Sequence, residues 1–310
     1  MKIIMYHYVR PNDPGMPHFR HLPLEGFKRQ LVHFAKQYGC CSKTDFLRAF
    51  ETGVPATGVV LTFDDGFRDH YQHVLPCLLE EGLWGIFYIP TRPYHTNKLL
   101  DVHRVHVLLG MRGGRVIYDA VRDIVVDDML SHAHIQEFRT LTYNNQNNDH
   151  FTNLVKRILN YYISYEYRER VIDELMHTFI PREQSLAAKF YMRPEEIREI
   201  QAAGMVVGSH TVNHPVMSKL SRDRQEQEIR ESFDFLDHIT GGLTLRTFCH
   251  PYGGFHSFTD ETERLLQDNG CLFSVNVEPR DVDGCDLRNR AQALPRYDCN
   301  QFPFGSAQQV

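Results

Sequence analysis

The chain has 310 residues, of which 42% are hydrophobic and 24% are charged, and its formal net charge is -5 at pH 7. This length suits one large α/β domain or two small ones, and the lack of a basic surplus argues against a general attraction to nucleic acid or anionic lipid. The seven cysteines form no Cys-x-x-Cys pair, and no apolar stretch approaches the about 18 residues of a membrane span, so we expect a cytoplasmic protein with no nucleic-acid partner and no transmembrane segment.

Short apolar runs alternate with amphipathic segments along most of the chain. Seven runs are predicted strands: KIIMYHYV, VVLTF, WGIFYI, MVVGSH, RTFCHP, CLFSVNV and ALPRY. Predicted helices include RPEEIREIQAAG, with Pro194 in its first turn, and TDETERLLQDNG, with Thr259 or Asp260 as the N-cap and Gly270 as the stop. The helix before WGIFYI contains Pro76, so it begins there or is kinked. This alternation is typical of βα units around a parallel sheet or barrel.

One long segment, from residue 92 to about 188, interrupts this alternation. Its pattern is mostly helical and includes HFTNLVKRILNYYISYEYRERVIDELMHTF. We therefore predict one barrel domain over residues 1–310 that is interrupted by a helical insertion at about 92–188.

Two adjacent carboxylates, Asp64 and Asp65, end the apolar run VVLTF and precede Gly66. Asp-Asp-Gly is also an ordinary turn sequence. On spacing alone, a simple turn and a functional site are equal interpretations. Two carboxylates kept together at the end of a buried strand usually share a cation or a proton. The rest of the chain must therefore supply partners for them.

Two further strand ends carry polar groups that fit such partners. MVVGSHTVNHP places His210 and His214 four residues apart, and with one carboxylate they make a three-ligand metal site that leaves positions open for water. Pro215 disfavours a helical His214, so we predict a turn there. The pair alone is more often accidental, but together with FDDG at an equivalent strand end it favours a catalytic metal site. CHPYGG adds Tyr252, whose backbone N-H we expect on the same rim, where it can meet an oxyanion.

These motifs resemble those of the polysaccharide deacetylases, carbohydrate esterase family four. TFDDG, HTVNH and HPYGG stand here in the order of the family pattern, and the resemblance covers roughly residues 1–91 and 189–300. It implies an α/β fold, an irregular (β/α)7 barrel of the polysaccharide deacetylase type, which agrees with the seven apolar runs. With the segment at 92–188, the predicted fold is this barrel with a large helical insertion.

The resemblance also implies an activity and the residues that perform it. Asp64 is the implied general base, Asp65, His210 and His214 the ligands of one divalent metal, and Tyr252 the oxyanion donor. The implied metal is zinc, with Co, Mn, Ni and Fe as alternatives. The implied reaction removes an N-acetyl group from an amino sugar in a nucleotide-sugar, lipid-linked or oligosaccharide precursor. Peripheral contact with a lipid-linked substrate stays open, and the sequence does not indicate an oligomeric state.

The chain departs from the family pattern at two places. Many members carry an arginine three residues before the tyrosine of Pro-Tyr-Gly, where this chain has Cys249. Arg296 in LPRYD is an alternative partner for Asp64, and a plain salt bridge is an equal interpretation of it. The C-terminal Leu-x-His that supplies the general acid is not found, since the last histidine is His256.

The candidate replacement for this acid is His7 in MYHYV. In a closed barrel the first strand lies beside the last, so the first can contribute the residue that the last supplies in relatives. A similar N-terminal Tyr-His is a feature of the branch that acts on poly-N-acetylglucosamine, and we assign the chain to this Met-Tyr-His branch. Strand alternation places Ile3, Met5, His7 and Val9 on one side of the strand. The alternative is that His7 only packs in the strand.

Other functions remain open at this point. The same residues suit deformylation of a formamido sugar or hydrolysis of a non-sugar amide. A non-catalytic carbohydrate-binding pseudoenzyme is favoured by Cys249 and the missing C-terminal histidine, and it is opposed by the intact Asp64, Asp65, His210 and His214. Because the 92–188 insertion follows the strand WGIFYI, we also hypothesise that it covers the barrel mouth and restricts the enzyme to small or chain-end substrates.

Overall fold

The computed structural model describes residues 1–131, 135–143 and 148–307. The chain forms two compact units. The barrel unit comprises Met1–Pro11, His21–His95 and the described residues from Lys189 onward, and the helical unit comprises Asn12–Arg20 and Thr96–Ala188. The sequence did not indicate that Asn12–Arg20 belongs with the helical unit.

The barrel unit is built on a parallel sheet of seven strands. The strands are β1 (Lys2–Tyr6), β2 (Val59–Phe63), β3 (Gly85–Ile89), β4 (Val206–Ser209), β5 (Thr247–Cys249), β6 (Phe273–Val275) and β7 (Tyr297–Asp298). Their order in the sheet is β6-β5-β4-β3-β2-β1-β7. Each strand lies within or at the end of one of the seven apolar runs, so the predicted fold class is confirmed.

The segment before β7 brings the two edges of the sheet towards each other. Leu294 forms a parallel bridge with Val275 of β6. Its N-H donates to the carbonyl of Ser274 at 2.9 Å, and its carbonyl accepts the N-H of Asn276 at 2.9 Å. Three positions after Leu294, Tyr297 begins β7, which pairs with β1. The sheet is therefore curled, and residues near β7 can reach the interior from both edges.

Both faces of the strands β2 to β6 are buried, as a parallel sheet with covered faces requires. Ile3 of β1 belongs to a cluster on the concave side that is shared by six strands, whereas Ile4 and Tyr6 pack on the convex side with Phe27. The predicted alternation of β1 thus holds through Tyr6. Val9 belongs to the convex-side cluster, so its predicted placement was wrong. The reason is that β1 ends at Tyr6 and the chain starts a separate two-residue pairing, Val9–Arg10 with Leu22–Pro23.

The helices of the barrel unit confirm the predicted start and stop signals. Pro194 occupies the first turn of its helix, and Thr259 is an N-cap residue. The helix around Pro76 begins at Leu75, directly after a π-helical turn over His70–Val74. The α-helices that lie wholly in this unit are Leu24–Gln37, Lys43–Thr52, Leu75–Glu80, Pro194–Ala202, Arg222–Thr240, Asp260–Asp268 and Gly284–Asn289.

The helical unit agrees with the mostly helical pattern of the insertion. Its α-helices are Asp101–Arg112, Gly114–Ile124, Ile135–Leu141, His150–Arg157 and Tyr165–Phe179, with a π-helical turn at Ile158–Tyr162. Two α-helices, Pro93–Thr96 and Glu183–Phe190, extend across the limits of the units. Over the described ranges, every helix is too short or too polar to cross a bilayer.

Candidate active site

The carboxyl ends of the parallel strands meet on one rim of the barrel unit, which is where functional loops gather in α/β folds. His7 follows β1, Asp64 and Asp65 follow β2, and His210 follows β4. Tyr252 comes from the loop after β5. The topology therefore brings together residues that are separated by more than 200 positions in the sequence.

Asp65, His210 and His214 form a buried set of possible metal ligands. The Oδ1 atom of Asp65 lies 3.5 Å from Nε2 of His210 and 3.6 Å from Nε2 of His214. Two ligands at about 2.1 Å from one tetrahedral ion are about 3.4 Å apart, so this spacing fits a shared ion. Two imidazole nitrogens and one carboxylate oxygen are also the donor set of catalytic zinc sites with open positions. The residues present therefore fit a divalent metal.

A hydrogen bond orients the His210 imidazole for this role. Nδ1 of His210 lies 2.8 Å from the carbonyl oxygen of Cys249, at the end of β5. Because a carbonyl only accepts, this contact places the proton on Nδ1 and leaves the Nε2 lone pair directed towards Asp65. Such a second contact fixes both the ring orientation and the tautomer of a metal-binding histidine.

Left-handed backbone conformations are concentrated at this site. Asp65, Thr211, His214 and Tyr252 have φ values of 78°, 68°, 54° and 62°. Non-glycine residues adopt this region uncommonly and at an energetic cost, and such residues cluster at active sites. The conformation of His214 also confirms the turn that was predicted before Pro215.

A buried glutamate that the sequence analysis did not identify stabilises this turn. Oε2 of Glu228 accepts the backbone N-H groups of Val212 at 2.9 Å and Asn213 at 2.8 Å. Burial raises the pKa of the Glu228 carboxyl, while these hydrogen bonds favour its charged form. In sequence Glu228 is one of several acidic residues in the helix Arg222–Thr240, and only its contacts distinguish it.

Asp64 forms a bidentate ion pair with Arg296. Nη1 of Arg296 lies 2.8 Å from Oδ1, and Nη2 lies 2.8 Å from Oδ2. The side chains of Arg296 and Asp64 are only 1% and 2% exposed. Burial by itself raises the pKa of Asp64, but the charge and hydrogen bonds of Arg296 outweigh it and hold this pKa below its usual value. Asp64 is therefore a carboxylate at neutral pH.

Further contacts hold the side chain of Arg296, which directly precedes β7. Its Nη1 also donates to Oγ1 of Thr62, and its Nε donates to the carbonyl of Asn276, each at 2.9 Å. Nη2 contacts Sγ of Cys249 at 3.1 Å. The small thiol of Cys249 thus stands beside the guanidinium group. Sequence reasoning missed Thr62, although it is the threonine of the TFDDG motif.

Replacing Arg296 with methionine is expected to destabilise the protein by roughly 3–5 kcal/mol at about pH 7, because the buried Asp64 carboxylate loses its partner. The lowered pKa of Asp64 means that the ion pair stabilises the wild type above the unfolded pKa of about 3.9, and that this contribution is lost as pH falls through the folded pKa. The difference between variant and wild type should therefore shrink below about pH 4. Urea unfolding of both proteins at about pH 7 and about pH 3 measures this difference in the free energy of unfolding.

The matched control for this prediction is Arg290→Met. Arg290 pairs with Glu263 at 2.7 Å, but its side chain is 45% exposed. Exposed pairs contribute about 1 kcal/mol or less, so the control should change stability little at either pH. Equal losses in the two variants would show that the pair of Arg296 and Asp64 has no special energetic role.

His7 lies next to Asp64 on the open side of the site. Its Nε2 is 3.9 Å from Oδ2 of Asp64, which is longer than a hydrogen bond. Its side chain is 40% exposed, whereas that of Asp64 is buried. The structure thus places His7 where its imidazole can contact both solvent and a molecule bound beside Asp64.

Tyr252 lies beside the possible metal ligands. Its ring centroid is 4.9 Å from that of His214. The next residue, Gly253, has φ 69°, and a Cβ added there would lie 2.4 Å from a methyl group of Val277. The carbonyl of Gly253 accepts the N-H of Val277 at 3.1 Å. This close approach requires glycine and fixes the backbone that carries Tyr252.

Comparisons with known proteins find a matching family profile and curated relatives. A sequence profile described as Polysaccharide deacetylase matches residues 52–272. A chitooligosaccharide deacetylase of Azorhizobium caulinodans is 28% identical over 118 residues, which is 36% of this chain and 55% of that protein. The chain spans about half the length of the curated relatives that it matches.

Two solved structures share the fold. The Streptococcus pyogenes deacetylase PplD in complex with acetate superposes with a TM-score of 0.57 at 16% identity, covering 96% of this chain and 91% of that one. The structure of IcaB from Ammonifex degensii gives a TM-score of 0.52 at 18% identity, covering 96% and 90%. At these identities the likeness establishes the curled parallel sheet and its connections.

Proposed function

Because the chain belongs to the polysaccharide deacetylase family, we propose that it is a metal-dependent hydrolase that removes an N-acetyl group from an amino sugar. The observation that carries this proposal is the juxtaposition of two groups at one rim. Asp65, His210 and His214 form a three-ligand set, and the adjacent Asp64 is held as a carboxylate by Arg296. Metal-assisted amide hydrolysis uses a Lewis acid together with a base beside the attacking water, and these residues suit the two tasks.

The proposed metal is zinc, with Co, Mn, Ni and Fe as alternatives that suit imidazole and carboxylate ligands. A divalent ion held by Asp65, His210 and His214 would lower the pKa of a bound water towards about 7 and polarise the acyl oxygen. The Cys249 carbonyl would keep the His210 ring in the orientation that this coordination needs.

Asp64 is the proposed general base. Its carboxylate is ionised, and the bidentate contact with Arg296 fixes the directions of its oxygens. It would accept the proton of the attacking water. The backbone N-H of Tyr252 is the proposed donor to the oxyanion that develops on the acyl group, a role supported by the position of Tyr252 beside His214.

His7 is the proposed general acid. The leaving amine departs poorly unless it is protonated, and histidine titrates in the neutral range where such a donor is needed. The position of His7 beside Asp64 and its partial exposure support this role. We also propose that the chain belongs to the branch with an N-terminal Met-Tyr-His motif, here Met5-Tyr6-His7.

The substrate is proposed to be an N-acylated amino sugar in a nucleotide-sugar, lipid-linked or oligosaccharide precursor. The relative from Azorhizobium caulinodans, named a chitooligosaccharide deacetylase, supports this class.

A reducing, cytoplasmic location is supported by the cysteines, since all seven are free thiols.

The test is a panel of substrates offered to the zinc-loaded protein. It contains N-acetylglucosamine oligomers of one to about six sugars, the matching N-formyl oligomers and an N-acetylated amino acid, and the released acid is quantified. Faster release of acetate from the sugars than from the amino acid supports the proposal. Faster release of formate would instead identify a deformylase, and binding of oligomers without release under any of the metals would identify a pseudoenzyme.

A further inference from the structure

The backbone at His7 lies where β1 stops pairing with β2. The register of the two strands ends at Tyr6 opposite Phe63, and the carbonyl of Tyr6 accepts the N-H of Asp64 at 2.9 Å. Two residues later, the carbonyl of Tyr8 accepts the N-H of Leu22 at 2.9 Å. The peptide carbonyl of His7 falls between these two pairings.

A side chain bonds this carbonyl. Nε2 of His70 lies 2.6 Å from the carbonyl oxygen of His7. Because a carbonyl only accepts, the proton of the His70 ring lies on Nε2. The consecutive carbonyls of residues 6, 7 and 8 are therefore bonded by a strand, a histidine side chain and a second strand pairing.

The His70 side chain is buried, and aromatic rings surround it apart from its bond to the His7 carbonyl. It is 0% exposed, and its ring packs at centroid distances of 5.6, 5.5 and 6.1 Å against Phe63, Phe67 and Phe87. Burial lowers the pKa of the His70 imidazole, which keeps it neutral with a single N-H. If this N-H made no hydrogen bond in its apolar surroundings, it would lose its hydration without compensation, so the bond to the His7 carbonyl is strongly favoured.

The backbone of His70 is equally constrained. His70 begins the π-helical turn His70–Val74, and its carbonyl accepts the N-H of Leu75, which starts the next helix. Pro76 follows in the first turn of that helix, where its missing N-H is tolerated. Single π-helical turns are rare and frequently accompany functional sites.

We infer that His70 is a positioning residue that holds the backbone of His7 and thereby keeps the His7 imidazole beside Asp64. This inference rests on the proposed function, since it concerns the group that we assign as general acid. The imidazole of His7 lies 3.9 Å from Asp64 and is partly exposed, so its position depends on how firmly its own backbone is held. Misplacing a catalytic group by about 1 Å can cost about 100-fold in rate.

The test is a double-mutant cycle with His7→Ala and His70→Leu, followed by acetate release from an N-acetylglucosamine tetramer. Leucine retains the apolar packing of the ring and removes the donor. His70→Leu alone is expected to lower kcat by roughly 10- to 100-fold, with KM within about threefold and metal content unchanged. In the His7→Ala background the same substitution is expected to change kcat by less than about twofold, because it acts through His7.

Two further variants separate positioning from folding. His70→Gln places an amide N-H near the position of Nε2 and is expected to recover most of the lost kcat. His73→Leu, on the same turn, is the control and should leave kcat unchanged. If the leucine variant does not fold, the glutamine variant carries the test, and a folded His70→Gln protein as slow as His7→Ala would overturn the inference.

The outcomes distinguish this inference from the proposed function. Equal losses from His70→Leu with and without His7 would give His70 a purely structural role and leave the acid assignment intact. A His7→Ala protein with normal kcat would refute the acid assignment before His70 is considered, and the inference about His70 with it.

Discussion

Replacing Asp65 with alanine is expected to remove the bound divalent ion and to abolish acetate release while the protein remains folded. Asp65 contributes the one carboxylate of the ligand set, and both histidine Nε2 atoms lie within 3.6 Å of its Oδ1. The substitution also removes one of two neighbouring buried negative charges, which favours retention of the fold. Elemental analysis of dialysed protein and thermal unfolding measure the two effects.

A second variant at Asp65 and a control variant show whether the metal loss is due to the missing ligand. Asp65 has φ 78°, and alanine in that region costs about 1–2 kcal/mol, whereas asparagine tolerates it. Asp65→Asn therefore separates loss of the ligand charge from backbone strain. Asp268→Ala removes an exposed carboxylate and should keep full metal content. Equal metal in the wild type and in Asp65→Ala would count decisively against this ligand set.

Replacing His7 with alanine is expected to lower kcat by roughly 10²- to 10⁴-fold, the usual scale of general acid catalysis, while metal content stays normal. The basic limb of the pH profile of kcat should disappear, because that limb reports loss of the proton that the acid must donate. Because His7 is 40% exposed, truncation should cost little stability. Steady-state kinetics across pH and elemental analysis provide the measurement.

His33→Ala is the control for this experiment, since His33 is a partly buried histidine in the helix Leu24–Gln37 of the same unit. It should leave both kcat and the pH profile unchanged. If His7→Ala retains near-normal kcat and an unaltered profile, His7 is structural and another group must donate the proton.

Local pattern was sufficient to predict the seven strands, because parallel strands buried on both faces appear as short continuous apolar runs. It failed where distant parts of the chain decide the structure. Val9 leaves the alternation of β1 because it pairs beside Leu22. Asn12–Arg20 belongs to the helical unit, where the N-H of His18 bonds the carbonyl of Gly110 at 2.8 Å. Neither pairing has a signature in the local sequence.

The same limit applies to the site. Asp64, Asp65, His210 and His214 stand in recognisable motifs at strand ends, and the structure brings them together. Glu228 and His70 make contacts that no spacing encodes, and His70 is 63 residues away from His7. Thr62, which bonds Arg296, stands within the TFDDG motif itself.

The catalytic and metal-binding roles of the site residues, and the restriction of substrates by the 92–188 insertion, stay predictions.

The most direct test of metal-dependent deacetylation is a zinc titration of the stripped protein. Chelator-treated protein is dialysed, zinc is added in steps, and acetate release from the N-acetylglucosamine tetramer is followed at each step. We predict negligible release without zinc, a linear rise, and a plateau at about one equivalent, as three protein ligands with open positions imply. Full activity in protein that retains less than about a tenth of an equivalent of any divalent metal would contradict the account.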